Sequence, residues 1–215
     1  MDWIQQLQSA NWHRVTGCAL EAYLLGCFAT GYYLVRARTG KDIREIKSGS
    51  IGARNAGRVL GRIGFVITLL GDFGKGALAV WIAREWTGNN HLALLALLAV
   101  VFGHVWPVQL RFRGGKGVAT FLGALLVFDY RIALLFPVLF LIGFALMRKS
   151  LWPTMFAFAC LPMAAWFLGG DNFTVAVLAI LAAVILFAHR RNLTEEFTAL
   201  ATRRAATPKP EPPKL

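Results

Sequence analysis

The chain has 215 residues, 57% of them hydrophobic and 16% charged, with seven Trp and sixteen Phe. Its apolar residues fall in successive blocks divided by charged or glycine-rich breaks, which excludes an ordinary soluble domain and points to a polytopic membrane protein. The net charge of +12 would suit nucleic acid, but the basic residues follow the breaks and form no separate face with interleaved aromatics, so no nucleic-acid partner is expected.

In chain order, residues 1–14 lack the charged, apolar, small-residue succession of a cleaved leader, so the first apolar block is expected to remain as a spanning helix. Seven apolar blocks are read at 15–35, 63–83, 91–109, 118–128, 132–147, 154–168 and 173–188. Lipid requires every backbone polar group to be satisfied internally, and these runs far exceed the alternating strands of a barrel. The expected fold is therefore all-α and integral to the membrane, with seven transmembrane helices. Residues 1–193 form one membrane domain, and 194–215, polar and then rich in Pro and Lys, form a tail expected to be disordered. Cys18, Cys27 and Cys160 lie in apolar stretches without metal-ligand spacing and are read as inert packing residues.

Orientation follows from the basic residues. Segments 36–62, 110–117, 148–149 and the tail after His189 hold 19 of the 23 Lys and Arg, whereas the alternate connections carry only Arg14, Arg84 and Arg131. That asymmetry places the first set in the cytoplasm, the N-terminus outside and the C-terminus inside.

Three cytoplasmic segments share a character suited to phosphate. Ser48 to Arg58 combines glycines with hydroxyl, amide and guanidinium donors; Ser48 and Asn55 can meet phosphate oxygens or an alcohol, and Arg58 can grip phosphate with two parallel bonds. Arg113-Gly114-Gly115-Lys116-Gly117 opens directly into the block at Val118, so converging backbone N–H groups, a helix N-terminus and an ammonium meet there. It lacks the spacing and the Ser or Thr of a nucleotide P-loop. His189 closes the seventh block, with Asn192 on the same helical face if the helix continues. Asp72 and Lys75 stand three apart within the second block and can pair, and His104 lies near the cytoplasmic end of the third. No histidine has zinc-site spacing, so no metal is expected.

Together these residues resemble the acyl-phosphate-dependent glycerol-3-phosphate acyltransferase family (PlsY), small membrane enzymes of bacterial phospholipid synthesis. The carriers are Ser48-Gly49-Ser50-Ile51-Gly52-Ala53-Arg54-Asn55 with Arg58, Gly71-Asp72 with Lys75-Gly76, Gly103-His104-Val105-Trp106-Pro107-Val108 running through Gly114-Gly115-Lys116-Gly117-Val118-Ala119-Thr120, and His189-Arg190 with Asn192. The resemblance covers the chain from about Arg36 to Asn192. It implies seven helices in the bacterial cytoplasmic membrane, an external N-terminus and a cytoplasmic site. There an acyl chain passes from acyl phosphate to the 1-hydroxyl of glycerol 3-phosphate. It also implies that Ser48, Arg58, Lys116, His189 and Asn192 hold the two substrates while the 114–117 loop approaches the acyl-phosphate group. Two departures stand out: Ser50 and Arg54 occupy positions where the family usually has Asn and Thr, and Leu193-Thr194-Glu195-Glu196 lacks the usual basic residue.

The candidate set is accordingly Lys116 and His189 for catalysis; Ser48, Gly49, Asn55, Arg58, Gly114, Gly115, Gly117 and Asn192 for substrate binding; and Asp72, Lys75 and His104 in support. An alcohol can attack an activated acyl phosphate directly, so the reaction calls for positioning, charge neutralisation and a proton acceptor, with no cofactor. The acceptor is either His189 or a substrate phosphate oxygen. A His followed five residues later by Asp, the mark of another acyltransferase type, is absent, since Cys18, Ala96, Gln109 and Thr194 occupy those positions. An anion or phospholipid transporter is the competing function, but it would show midplane charges and repeated halves, whereas the polar motifs gather on one side. A scaffold for acidic partners leaves the glycines, Asn55 and Asn192 without a role.

Overall fold

The computed structural model describes residues 12–148 and 150–206, which contain helices, turns and loops and no strand. All seven apolar blocks are helical. In chain order the helices are α1 (Trp12–Cys27), α2 (Thr30–Thr39), α3 (Ala53–Thr87), α4 (Asn90–Val105), α5 (Val118–Phe128), α6 (Tyr130–Met147), α7 (Leu151–Phe167), α8 (Asn172–Ala188) and α9 (Arg190–Ala206). The stretches Trp12–Thr39, Ala53–Thr87, Asn90–Leu110 and Tyr130–Met147 are long and apolar enough to cross a bilayer, and α8 with α9 makes a fifth as a pair bent by 56°. Helix α5, with 11 residues, reaches only about 16 Å, and α7 has 17 residues. Large apolar side chains such as Leu146 and Phe167, each 79% exposed, face outward, as suits lipid rather than water.

The first block is not one continuous helix. It breaks at Phe28 and Ala29, where the ladder loses its partners and the freed carbonyls need other donors. Lys75 Nζ supplies them to Gly26 O at 2.9 Å and Phe28 O at 2.6 Å, and Gln109 Nε2 donates to Cys27 O. Lys75 also pairs with Asp72 at 3.2 Å, one turn away on the same face of α3, as the spacing requires. A second break lies inside α3, where Gly61 has φ 72° and ψ −162° and sets the first two turns apart from the long apolar segment.

Helices α3 and α5 cross with their backbones in contact. A Cβ on Gly76 would overlap the carbonyl of Thr120, and one on Gly123 would overlap that of Phe73. Around this crossing Leu97, Val100, Phe121, Leu125, Phe158, Leu161, Leu181 and Ile185 form the main core. A smaller cluster of Ala29, Val35, Ile43, Ile51, Ala56 and Leu110 ties the loop before α3 to the end of the third span.

The polar tail departs from expectation. Helix α9 runs through Ala206, because the stretch from Leu193 to Ala201 is rich in Leu, Glu and Ala, which favour helix despite their polarity as a group. Phe197 packs edge-on against Trp152 with ring centroids 5.1 Å apart. The Pro- and Lys-rich end, 207–215, lies outside the described residues.

Removing one member of a buried ion pair strands the other charge, at a cost of about 3–5 kcal/mol. Lys75→Met is therefore expected to lower Tm in detergent by roughly 6–15 °C, and the Lys75→Met/Asp72→Asn double variant to recover part of that loss. Equal Tm values for Lys75→Met and wild type would remove Lys75 from its structural role.

Candidate active site

The loop before α3 is built around the Asn55 side chain. Its Nδ2 donates to the carbonyls of Ile43 (3.2 Å), Ile46 (3.0 Å) and Ser50 (2.9 Å), while Oδ1 accepts from the Ser48 amide at 3.3 Å. Asn55 is 1% exposed. Asn55 thus serves the loop's own backbone: its Nδ2 hydrogens and one Oδ1 lone pair are engaged there, a framework role rather than the direct substrate contact expected of it. What the loop presents instead is Ser48, exposed and with no bond from its hydroxyl among the described residues, and Arg54 and Arg58, exposed and one turn apart at the start of α3. Gly49 closes the turn through its amide to Ile46 O at 3.1 Å.

The glycine loop is folded back onto His104. Gly114 donates to Val105 O at 3.1 Å and Gly115 to His104 O at 3.0 Å. A Cβ on Gly115 would overlap the His104 imidazole, so only glycine allows this approach. His104 is buried, its Nδ1 3.7 Å from Asp72 Oδ1. The supporting trio thus forms a column from the α1–α2 break, through Lys75, Asp72 and His104, to the underside of the glycine loop. Gly117, at φ 82°, starts α5 with no side-chain cap, and Gly52 starts α3 in the same state, whereas Asn89, Asp129 and Asp171 cap α4, α6 and α8. The two helices that open at the loops therefore leave N–H donors unclaimed by side chains.

Lys116 reaches across to the bend after α8, donating from Nζ to Asn192 Oδ1 at 2.8 Å. His189 sits in that bend, buried, with Nδ1 2.8 Å from Ile185 O. A carbonyl can only accept, so Nδ1 carries the proton and Nε2 keeps its lone pair in the neutral ring. Burial is the main cause that pushes the Lys116 pKa down to about 8; Arg54, Arg58 and Arg191 add to it and Glu195 opposes them. Burial likewise takes His189 down to about 4, opposed by the Ile185 carbonyl and assisted by Lys116 and Arg54. The imidazole is therefore neutral at pH 7, beside the positive charges of Lys116 and Arg54.

The structure thus joins Lys116, His189 and Asn192 in one place, with Arg58 acting on Lys116 through its field. Arg54, Arg191 and Glu195 belong to the same electrostatic group and were not in the expected set. For Arg54 a signal existed: it precedes Arg58 by four residues and so shares its helical face.

A family model described as "Glycerol-3-phosphate acyltransferase" matches residues 16–199. The chain belongs to the glycerol-3-phosphate acyltransferase family. It is an acyltransferase acting on glycerol 3-phosphate. Glycerol-3-phosphate acyltransferase 1 of Desulfitobacterium hafniense (strain Y51) is 43% identical over 86% of this chain and 92% of its own length. Among solved structures, the integral membrane glycerol 3-phosphate acyltransferase PlsY in its glycerol 3-phosphate form has a TM-score of 0.79 at 30% identity. The lysophosphatidic acid form of PlsY has a TM-score of 0.76 at 28% identity; each match covers 86% of this chain and 92% of the other. The family membership expected from the ordered motifs is thereby borne out.

Asn55→Ala leaves three backbone carbonyls without their donor, which costs on the order of 1–3 kcal/mol. The variant is expected to melt several degrees lower and to be cut faster by protease within 48–58. A raised KM for glycerol 3-phosphate at unchanged Tm and protease resistance would instead make Asn55 a substrate ligand.

Proposed function

We propose that the chain transfers an acyl group from acyl phosphate to the 1-hydroxyl of glycerol 3-phosphate, giving lysophosphatidic acid and inorganic phosphate. The Lys116–Asn192 bond carries this reading, because it closes the glycine loop against the bend that holds His189 and so concentrates donors for two phosphate groups around one neutral base. Lys116, Arg54 and Arg58 offset the phosphate charges, the amides at 114–117 receive the acyl-phosphate group, and Asn192 keeps Nδ2 for a substrate oxygen while its Oδ1 holds Lys116. Ser48 supplies a hydroxyl contact at the exposed edge.

The alcohol oxygen forms a bond to the acyl carbon, the bond from that carbon to the phosphate oxygen breaks, and phosphate leaves with its electron pair. The alcohol proton passes to His189 Nε2 or to a phosphate oxygen. Incoming phosphate offsets the Lys116 and Arg54 charges that disfavour imidazolium, so substrate binding raises the His189 pKa toward a value useful to a base. No covalent intermediate on the protein is needed, since acyl phosphate already has a good leaving group.

The charge asymmetry of the loops supports a bacterial cytoplasmic membrane protein with its N-terminus outside and this site facing the cytoplasm. Seven helical blocks support seven crossings, with α5 and α7 as the short members.

Purified protein is expected to release phosphate with acyl phosphate and glycerol 3-phosphate, and to show little turnover with acyl-CoA or acyl carrier protein; equal turnover with acyl-CoA in the absence of phosphate would overturn the donor assignment. Lys116→Ala should lose ~10²–10³-fold in kcat/KM while remaining folded, the scale of one preorganised electrostatic contact. Lysine binds anions only when protonated, so with a pKa of about 8 the wild-type kcat/KM should decline as pH rises through that value. Lys116→Arg should move that decline to higher pH; an alkaline limb identical in both proteins would assign it to another group. His189→Ala should lower kcat and alter the pH profile, whereas Asn192→Ala should chiefly raise KM. An unaltered profile in His189→Ala would give the proton to a substrate phosphate.

A further inference from the structure

Beside the 110–117 loop opens a cavity of about 380 Å³, lined by Tyr32, Arg44, Gln109, Leu110, Arg111 and Arg113. None of these residues belongs to the group around Lys116. Arg44 is fixed in place: Nη2 pairs with Asp42 at 2.6 Å, Nη1 donates to Leu110 O at 2.9 Å, and its guanidinium carbon lies 5.3 Å from the centre of the Tyr32 ring. Asp42 offsets that charge. Arg111 and Arg113 are exposed and have no carboxylate partner among the described residues, so two guanidinium charges face the cavity uncompensated.

The backbone that carries them is held in a costly shape. Arg111 and Phe112 are consecutive left-handed residues, at φ 54° and 58°, although neither is glycine. Amide bonds from Arg111 to Val108 O, from Phe112 to Pro107 O and from Arg113 to Leu110 O keep the turn closed. Phe112 and Val108 stand 59% and 52% exposed on this same loop. The cavity joins the end of the Asn90–Leu110 span to Tyr32 in the Trp12–Thr39 span, where apolar helix gives way to basic loop. That is the depth of lipid headgroups, and the combination of unpaired arginines with exposed apolar residues suits an amphiphile with a phosphate.

We propose that this cavity is a second phosphate site, separate from the acyl-transfer centre, which binds the headgroup phosphate of an anionic phospholipid. Arg111 and Arg113 donate to the phosphate oxygens, Arg44 forms the fixed wall behind them, and Phe112 and Val108 lie against the lipid's apolar part.

The test is equilibrium binding of radiolabelled dihexanoyl phosphatidylglycerol to the full chain in neutral detergent, with saturating glycerol 3-phosphate present to occupy the substrate centre. Saturable binding is expected for wild type and for Lys116→Ala, with at least about tenfold weakening in the Arg111→Gln/Arg113→Gln variant, as two lost contacts at an anionic surface imply. Arg111→Lys/Arg113→Lys, which keeps both charges, is expected to bind better than the Gln pair, and elution profile and Tm check that each variant is folded. Failure of millimolar inorganic phosphate to compete supports the lipid headgroup as the source. Full competition at that concentration overturns the lipid assignment in favour of free phosphate. Unweakened binding in the folded Gln variant, or binding lost equally in Lys116→Ala, overturns the separate site.

Discussion

The architecture depends on an ammonium placed where a helix has been interrupted. At Phe28 and Ala29 the first span stops being helical, and in lipid each freed carbonyl costs several kcal/mol unless a donor replaces the lost amide. Lys75 meets two of those carbonyls and Gln109 a third. The ammonium is in turn tolerable only because Asp72 lies beside it. Charge and interruption therefore stabilise one another, and neither would be favourable in an apolar bundle alone.

From that point the constraint passes upward through direct contacts. Asp72 faces His104, His104 supports the glycine loop through its backbone and its ring, and the loop carries Lys116 into contact with Asn192. The polar residues within the membrane and those at its surface form one connected structure rather than two sites. A rigid base is what electrostatic catalysis asks for, because donors that need not reorganise act at full strength on the charge that develops during reaction.

Much of this is legible in the sequence, for reasons that differ from residue to residue. Runs of apolar residues mark all seven helical blocks because lipid leaves the backbone no alternative. The Asp72–Lys75 pair follows from their three-residue separation, and the Lys116, His189 and Asn192 set from ordered motifs. The breaks are not legible: hydropathy reads side chains, while the interruption at Phe28 is settled by side-chain donors far along the chain and the one at Gly61 by a left-handed backbone that glycine permits. Asn55 is ambiguous in sequence because an amide that organises a glycine loop and one that binds a phosphate look alike there; its burial and its three carbonyl partners appear only in the fold. Arg54 hides for the opposite reason, since a departure from a family pattern draws notice to what is missing rather than to the charge that has been added. The helical tail escapes because its polarity outweighs, to the eye, the helix propensity of its Leu, Glu and Ala residues.

The shortness of α5 bears on how a water-soluble acceptor and a greasy donor come to meet. A hydrocarbon layer is ~30 Å thick, and this helix, ending at Asp129, covers only about half of it. Its glycine start would then be sunk well beneath the plane of the headgroups. A fatty chain could present its reactive end there while remaining immersed sideways in the leaflet, and only the small polar acceptor would have to descend. Extraction of the tail into water, at about 0.8 kcal/mol for each methylene, would never enter the reaction path.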